Sequence, residues 1–199
     1  MKVIYSLPQN SEQKRDSWRI YLPNNYKIFE NIITQVKPIN RTGALILFKD
    51  AEPTSVTGVD QLQTAAGTKI TIGDGGLFAQ PFQSLVNSDD EFEYASCQDT
   101  RSVVNTPYGV FWMSRDTGKI FNYAGGQIVD IAMNGMRYWF TQNLPNVLTT
   151  QFPNFTATEN TLVGIGCQVV YDTQYEIVYF CKKDFKSKGY VQYDEANNQ

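Results

Sequence analysis

Asp116-Thr117-Gly118 has the residue types and the spacing of the catalytic signature of aspartic proteases. Two aspartates share a proton in those enzymes, so a chain with one motif needs a symmetric dimer to supply the second carboxylate. Arg115 and Lys119 flank the tripeptide, and we expect such solvent-seeking charges to be unsuited to an apolar catalytic floor. A turn explains the same residues: Asp116 caps it with its carboxylate, and Gly118 supplies a positive φ. We therefore predict a structural turn and no catalytic residues.

The chain contains no histidine, which excludes Ser-His-Asp, Cys-His and His-zinc sites. Its three cysteines, Cys97, Cys167 and Cys181, are odd in number and lack the CxxC spacing of a zinc knuckle. We expect buried free thiols, because free cysteine is among the most buried residue types. A bond between Cys167 and Cys181 on neighbouring strands is the alternative.

Two further segments carry weaker signals for ligands. The glycine cluster GDGGLF, residues 73–78, lacks the Gly-Lys-Ser/Thr ending that places a lysine on phosphates. The acidic segment NSDDEFEY, residues 87–94, lacks the alternating spacing and central glycine of an EF-hand loop. We predict a solvated loop for the acidic segment, and no cofactor and no metal ion for the chain.

Charge and hydropathy limit the partners. The net charge of -3 and the pI near 5.0 give no basic field for a polyanion, so we expect no sequence-independent binding of DNA or RNA across the whole surface. A local basic patch stays open, and we expect no sequence-specific nucleic acid partner. No run of about 18 apolar residues is present, and the N-terminal segment turns polar too early for a signal peptide. We expect no membrane partner and no export signal.

The content of aromatic and β-branched residues predicts a mainly β fold. Residues 1–40 contain Pro23 and the turn pair Asn24-Asn25, and are predicted to form an irregular extended lead-in. Ala44 to Phe48 form an apolar run typical of a strand buried on both faces. The polar segment 49–67 is predicted to be a loop, and TKITIG after it a strand.

The middle of the chain predicts a meander of three strands, GVFWMS, KIFNY and QIVDI, joined by the turns RDTG and AGG. A second long hairpin is predicted from LVGIGCQVVYD and YEIVYFCKKDF. Between them, Met136, Phe140 and Leu144 stand at i, i+4 and i+8 with Trp139 beside them. This stripe predicts one short amphipathic helix that Asn134 caps, that ends at Pro145 and that buries these four residues against a sheet.

The order of these motifs resembles a stretch of the large virion proteins that form the tail muzzle or nozzle of short-tailed bacteriophages, especially crAss-like phages. The resemblance spans most of the chain and rests on SLPQ and DSW near the start, LQTAAGTKITIGDGGLF, NTPYGVFWMSRDTGKIFNYAGGQIVDI, NGMRYWFTQNL and GIGCQVVYDTQYEIVYF. It implies a β-rich, propeller-like tail component without catalysis, present in several copies around the tail axis. Those proteins are usually much longer than 199 residues, so residues 1–199 are interpreted as a single β-rich domain that is a fragment, a processed product or a short relative.

We therefore predict a partial or irregular β-propeller of antiparallel meanders with one short helix, and a β-sandwich with one helix is the alternative. The predicted function is that of a non-enzymatic tail component, made in the host cytoplasm and located in the virion. Its partners are like copies in a ring and other tail or portal-proximal proteins. The candidate assembly residues are aromatic: Tyr108, Phe111, Trp112, Tyr171, Tyr175 and Tyr179.

Two other functional classes remain open. Exposed aromatic rings can stack on sugars, so a receptor- or carbohydrate-binding module is the first alternative. Burial of Trp18, Trp112 and Trp139 together would count against it. The second alternative is a hydrolase with two facing carboxylates, such as a glycosidase.

Overall fold

The computed structural model describes residues 1–7, 16–40, 43–57, 61–63, 69–71, 78, 80–85, 95–144 and 166–183. In these residues the protein is mainly β, with antiparallel strands and one short α-helix, as the sequence predicted. The strands form two four-stranded sheets and three two-stranded ribbons.

Sheet 1 contains the predicted buried strand and has the order β3-β4-β5-β8. Its strands are β3 (Ile33–Pro38), β4 (Gly43–Phe48), β5 (Thr54–Thr57) and β8 (Gln83–Ser84). All six residues of β4 are buried, which confirms the prediction from its apolar run. Successive side chains of a strand point to opposite faces, so Leu45 and Leu47 lie on one face of sheet 1 and Phe48 on the other.

Sheet 2 is the predicted meander with one additional strand, in the order β12-β11-β10-β9. Its strands are β9 (Val103–Thr106), β10 (Gly109–Ser114), β11 (Lys119–Ala124) and β12 (Gln127–Asp130). The pair Trp112 and Phe121 is directly opposite across β10 and β11, with ring centroids 5.5 Å apart and both side chains fully buried. Large aromatic pairs of this kind anchor a sheet to its neighbour.

The hairpin of β13 (Gly166–Asp172) and β14 (Ile177–Lys183), here called the C-terminal ribbon, forms a third layer. One apolar cluster joins Leu45 and Leu47 of sheet 1 to Trp112 and Phe121 of sheet 2. A second cluster lies on the opposite face of sheet 2, where Met113 and Ile120 meet the ribbon residues Cys167 and Val169. Sheet 1, sheet 2 and the C-terminal ribbon therefore stack in chain order.

Residues 1–40, expected to be an irregular lead-in, contain three strands, which corrects that prediction. β1 (Lys2–Ile4) pairs with β2 (Tyr26–Ile28) to form the N-terminal ribbon, and β3 belongs to sheet 1. The partners of each pair in this ribbon lie more than 20 positions apart in the sequence, and local turn signals do not report such pairing. Phe29, which follows β2, packs on Phe48 with ring centroids 5.6 Å apart. The N-terminal ribbon thus leads onto the face of sheet 1 that sheet 2 leaves uncovered.

The segment 49–67 was expected to be a loop, but it contains β5 and the strand β6 (Gln61–Gln63). β6 pairs with β7 (Lys69–Thr71), which lies within the predicted strand TKITIG. β5 gains its regularity by pairing with β4, a tertiary interaction that its polar sequence does not indicate.

The helix α1 (Arg137–Asn143) is shorter than predicted, and only part of the predicted stripe is buried. Phe140 and Leu144 pack in the second apolar cluster, whereas Met136 is 49% exposed and Trp139 46% exposed. Met136 lies before the first helical residue, and Trp139 is rotated about 100° from Phe140, so neither shares the buried face. Asn134 ends the preceding 3₁₀ turn, Ile131–Met133, and does not cap α1.

The cysteines are free, as expected, but they are not all buried. Cys97 and Cys167 are buried, whereas Cys181 is exposed. In the C-terminal ribbon Cys167 is opposite Lys182, and Cys181 is opposite Gln168. This offset of one residue places the two thiols on opposite faces of the ribbon, which excludes a Cys167–Cys181 bond in this fold.

Candidate functional site

The Asp116-Thr117-Gly118 tripeptide forms the turn between β10 and β11. Gly118 has φ of 65°, and its N–H donates to the carbonyl of Ser114 over 3.0 Å, which confirms the structural turn. The Asp116 side chain is 59% exposed, and its carboxylate lies 3.7 Å from Nε of Arg115. Its predicted capping role is therefore wrong: within the described residues the carboxylate pairs with a neighbouring side chain.

Arg115, expected to seek solvent, is largely buried in an ion pair. Its Nη1 lies 3.1 Å from Oδ1 of Asp99, and the side chains are 14% and 5% exposed. The other carboxylate oxygen of Asp99 accepts the backbone N–H of Cys167 over 3.1 Å. Asp99 therefore links the β10–β11 turn of sheet 2 to the first residues of the C-terminal ribbon.

Gln98 caps the turn in place of Asp116. Its Oε1 accepts the backbone N–H of Arg115 over 2.8 Å and that of Asp116 over 3.3 Å. Its Nε2 donates to the carbonyl of Lys49 over 3.1 Å, which ties the same turn to the end of β4. Gln98 precedes Arg115 by 17 positions, so no spacing rule in the sequence could have identified it.

At the opposite end of β10, the structure brings several predicted assembly residues together. The Tyr108 hydroxyl, in the β9–β10 turn, donates to Oε2 of Glu176 over 2.8 Å. Glu176 lies in the β13–β14 turn beside Tyr175, which is 66% exposed. The hydrogen bond to Glu176 and its charge raise the pKa of Tyr108, with a smaller contribution from Tyr171. Tyr108, Tyr171, Tyr175 and Glu176 are called the tyrosine rim below.

The Glu176 backbone supports the view that this rim is held in a fixed conformation. Its φ is 55°, a left-handed value that is uncommon for a residue other than glycine. The Asp172 carboxylate accepts the backbone N–H groups of Gln174 and Tyr175 over 2.8 Å and 3.2 Å and so closes the same turn. The Tyr108 hydroxyl therefore holds the Glu176 carboxylate, and the Asp172 carboxylate holds the backbone of the turn that carries it.

The remaining predicted assembly residues divide between surface and core. Tyr179 is 47% exposed on the C-terminal ribbon, whereas Phe111 and Tyr171 are half-buried. Trp112 is fully buried, and its indole N–H donates to the carbonyl of Ala95 over 3.1 Å, so its assignment to an assembly surface is wrong. The reason is the pleat: Trp112 alternates with Phe111 and points into the cluster with sheet 1.

The tryptophans that bear on sugar binding are not all buried. Trp18 is 49% exposed with the Arg19 guanidinium 4.7 Å from its ring centroid. Trp139 is 46% exposed with Nζ of Lys182 5.9 Å from its ring centroid. Two indoles are therefore available to a partner, which leaves the carbohydrate-binding alternative open.

Asp130 is a buried carboxyl group at the end of sheet 2. Its Oδ1 accepts the backbone N–H of Ala132 over 2.9 Å, which caps the 3₁₀ turn, and its Oδ2 is buried without a partner among the described atoms. Burial raises its pKa, against the lowering effect of the Ala132 hydrogen bond. The hydrogen bond to Ala132 gives Asp130 a structural role as a cap.

Among the residues that the structure describes, no group of three or more acidic or cysteine side chains could hold a metal ion. The acidic segment 87–94 and residues 73–77 of the glycine cluster lie outside the described residues. None of the described helices is long and apolar enough to cross a membrane. No protein-family model matches the chain, and no curated protein matches it either.

Proposed function

We propose that the chain is a non-enzymatic structural component of a bacteriophage tail, of the muzzle or nozzle type, that assembles with like copies and neighbouring tail proteins. The family part of this proposal rests on the order of sequence motifs. The observation that carries the assembly part is the stack of three β layers, because both of its ends present apolar side chains to solvent. Such exposed patches mark sites of protein association.

The proposed architecture is a partial or irregular β-propeller. Propeller blades are four-stranded antiparallel sheets that follow one another along the chain. Sheet 1 and sheet 2 have four antiparallel strands each, and they pack face to face in chain order, with the C-terminal ribbon as the next layer. A β-sandwich has two layers, so the third layer favours the propeller over this alternative.

A propeller also places turns from successive blades on one rim, and the tyrosine rim fits this pattern. The turns before β10 and before β14 meet through the hydrogen bond between Tyr108 and Glu176. Tyrosine is enriched in protein interfaces because it combines a large apolar ring with a polar hydroxyl. The rim is therefore a candidate contact for a neighbouring tail protein.

The second candidate function is that of a receptor- or carbohydrate-binding module. The exposed rings of Trp18 and Trp139 are the specific observation in its favour. The carboxylate-based hydrolase has less support, since the buried carboxyl groups Asp99 and Asp130 are both held by structural hydrogen bonds in the described part of the chain.

Electron microscopy of the parent particle and of the purified chain tests the proposed function. We expect the chain in the virion, in several copies around the tail axis, and self-association of the purified chain at high concentration. Glycan binding by a chain that stays monomeric, together with its absence from the tail, would favour the receptor-binding alternative. Turnover of a glycoside by the purified chain would favour the hydrolase.

A further inference from the structure

The N-terminal ribbon exposes one apolar face. Lys2 pairs with Ile28 and Ile4 pairs with Tyr26, so these four side chains share one side of the ribbon. Ile28 is 71% exposed and Ile4 57% exposed, and the Lys2 ammonium lies 3.9 Å from the centroid of the Tyr26 ring. This N-terminal face is apolar with one fixed positive charge.

The C-terminal ribbon exposes a matching face. Val170 pairs with Tyr179 and Asp172 pairs with Ile177, so these four side chains share the side that points away from sheet 2. Val170, Tyr179 and Ile177 are 55%, 47% and 44% exposed. The half-buried Asp172 carboxylate places a negative charge at the edge of this C-terminal face.

The two faces lie at opposite ends of the stack. The N-terminal ribbon leads through Phe29 onto the outer side of sheet 1, at Phe48. The C-terminal ribbon packs its Cys167 and Val169 on the far side of sheet 2. One copy therefore presents an apolar face beside Lys2 at one end and an apolar face beside Asp172 at the other.

We propose that the N-terminal face of one copy docks on the C-terminal face of the next, so that copies of this chain join end to end. The exposed apolar side chains of both faces, together with the opposite charges of Lys2 and Asp172, favour a second copy as the occupant. The contact uses two different surfaces, so repetition gives a closed ring or an open filament. This inference rests on the proposed assembly function and names the surfaces that perform it.

The small area of each face sets the expected strength of the contact. Four side chains supply a few hundred Å², less than the roughly 800 Å² per partner of a typical stable complex. We therefore expect isolated copies to associate with Kd on the order of 10–100 μM, so the assembly forms only at high local concentration.

Two double variants, each with one altered face, test the contact. Ile4→Gln with Ile28→Gln removes apolar groups from the N-terminal face, and Val170→Gln with Tyr179→Gln does so on the C-terminal face. Both use exposed positions, and equal thermal unfolding curves would verify that each variant folds like the parent. Val129→Gln is the matched control, since Val129 is 53% exposed on β12 and belongs to neither face.

Sedimentation velocity over a range of concentrations measures the association. We expect each double variant to weaken self-association at least tenfold and the control to leave it within twofold of the parent. A mixture of the two double variants has one intact face of each kind, so it should form heterodimers and no larger species. Dimers of either double variant alone that form as tightly as those of the parent would overturn the proposal, because they indicate a contact that one surface makes with itself.

The outcome distinguishes this inference from the proposed function. If the double variants associate as strongly as the parent, the end-to-end contact is overturned. The tail function is tested separately, by electron microscopy of the particle. A parent chain that stays monomeric up to about 1 mM, far above the expected Kd, would overturn the contact as well. Absence of the chain from the virion would overturn the tail function whatever the sedimentation data give.

Discussion

Replacing Asp99 by alanine is expected to destabilise the fold far more than replacing Asp116 by alanine, although both carboxylates contact Arg115. Asp99 is buried, lies 3.1 Å from the guanidinium and accepts the backbone N–H of Cys167. Asp116 is 59% exposed and lies 3.7 Å from the same guanidinium. The pair of variants therefore compares a buried and an exposed contact to one arginine.

The magnitudes follow from burial. Removing one partner of a buried ion pair costs about 3–5 kcal/mol, because the remaining charge is left without compensation. Asp116 remains near Arg115 in the Asp99→Ala variant and offsets part of this loss. We therefore expect Asp99→Ala to reduce the free energy of unfolding by about 3 kcal/mol. An exposed ion pair contributes about 0–1 kcal/mol, which is the expected cost of Asp116→Ala. Asp99→Asn keeps an acceptor for the Cys167 N–H and should fall between these values.

Urea unfolding monitored by tryptophan fluorescence measures the free energy of each variant, since the buried Trp112 becomes exposed on unfolding. The variants can be compared in this way when their m-values equal that of the parent. If Asp99→Ala and Asp116→Ala reduce the free energy of unfolding equally, Asp99 is not the buried link between sheet 2 and the C-terminal ribbon. A loss of proteolytic activity in Asp116→Asn with an unchanged fold would refute the structural turn.

Three further predictions concern single positions. Gly109→Ala should lower Tm and reduce the free energy of unfolding by about 2 kcal/mol or more, because Gly109 has φ of 124° and the added Cβ would lie 2.4 Å from a backbone carbonyl oxygen. In Gly126→Ala the added Cβ meets no atom within 4 Å, so the free energy of unfolding should fall by only about 1 kcal/mol. Burial raises the pKa of Asp130, so its contribution to stability is fully present below the ordinary value of 3.8 and is lost as pH rises through the folded value. Asp130→Asn should therefore gain stability relative to the parent as pH rises above 3.8 in unfolding measurements. A thiol reagent should modify exposed Cys181 in the native protein and Cys167 only on unfolding, since burial raises the pKa of Cys167 to about 12.

Each of these predictions has a contradicting result. Equal Tm values for the two glycine variants would show that the close approach at Gly109 is absent. A stability difference between Asp130→Asn and the parent that does not change with pH would show that the carboxyl group is not desolvated. Rapid modification of Cys167 in the native protein would contradict its burial between sheet 2 and the C-terminal ribbon.

The sequence predicted those strands whose pairing is local. The meander β10–β11–β12 and the hairpin β13–β14 are joined by short turns, and Gly118 with its φ of 65° marks one of them. The buried strand β4 was predicted from its apolar run alone. These elements carry their signals within a few residues, so propensity and periodicity suffice for them.

The elements that depend on distant partners could not be predicted in the same way. β5 is regular because it pairs with β4, and the N-terminal ribbon joins segments that are far apart in sequence. The apolar stripe of the helix was predicted from the helical spacing of its residues. The helix has only seven residues, however, and it buries the face of Phe140 and leaves Trp139 exposed. The tyrosine rim depends on Glu176, whose left-handed conformation has no sequence signal because glycine usually occupies such positions.

A cryo-electron microscopy reconstruction of the parent particle tests the central proposal most directly. We expect several symmetry-related copies of the chain around the tail axis. The exposed side of the N-terminal ribbon, at Ile28, should lie against the exposed side of the C-terminal ribbon, at Val170, in the next copy. A reconstruction whose tail contains no density for the stack of sheet 1, sheet 2 and the C-terminal ribbon would contradict it.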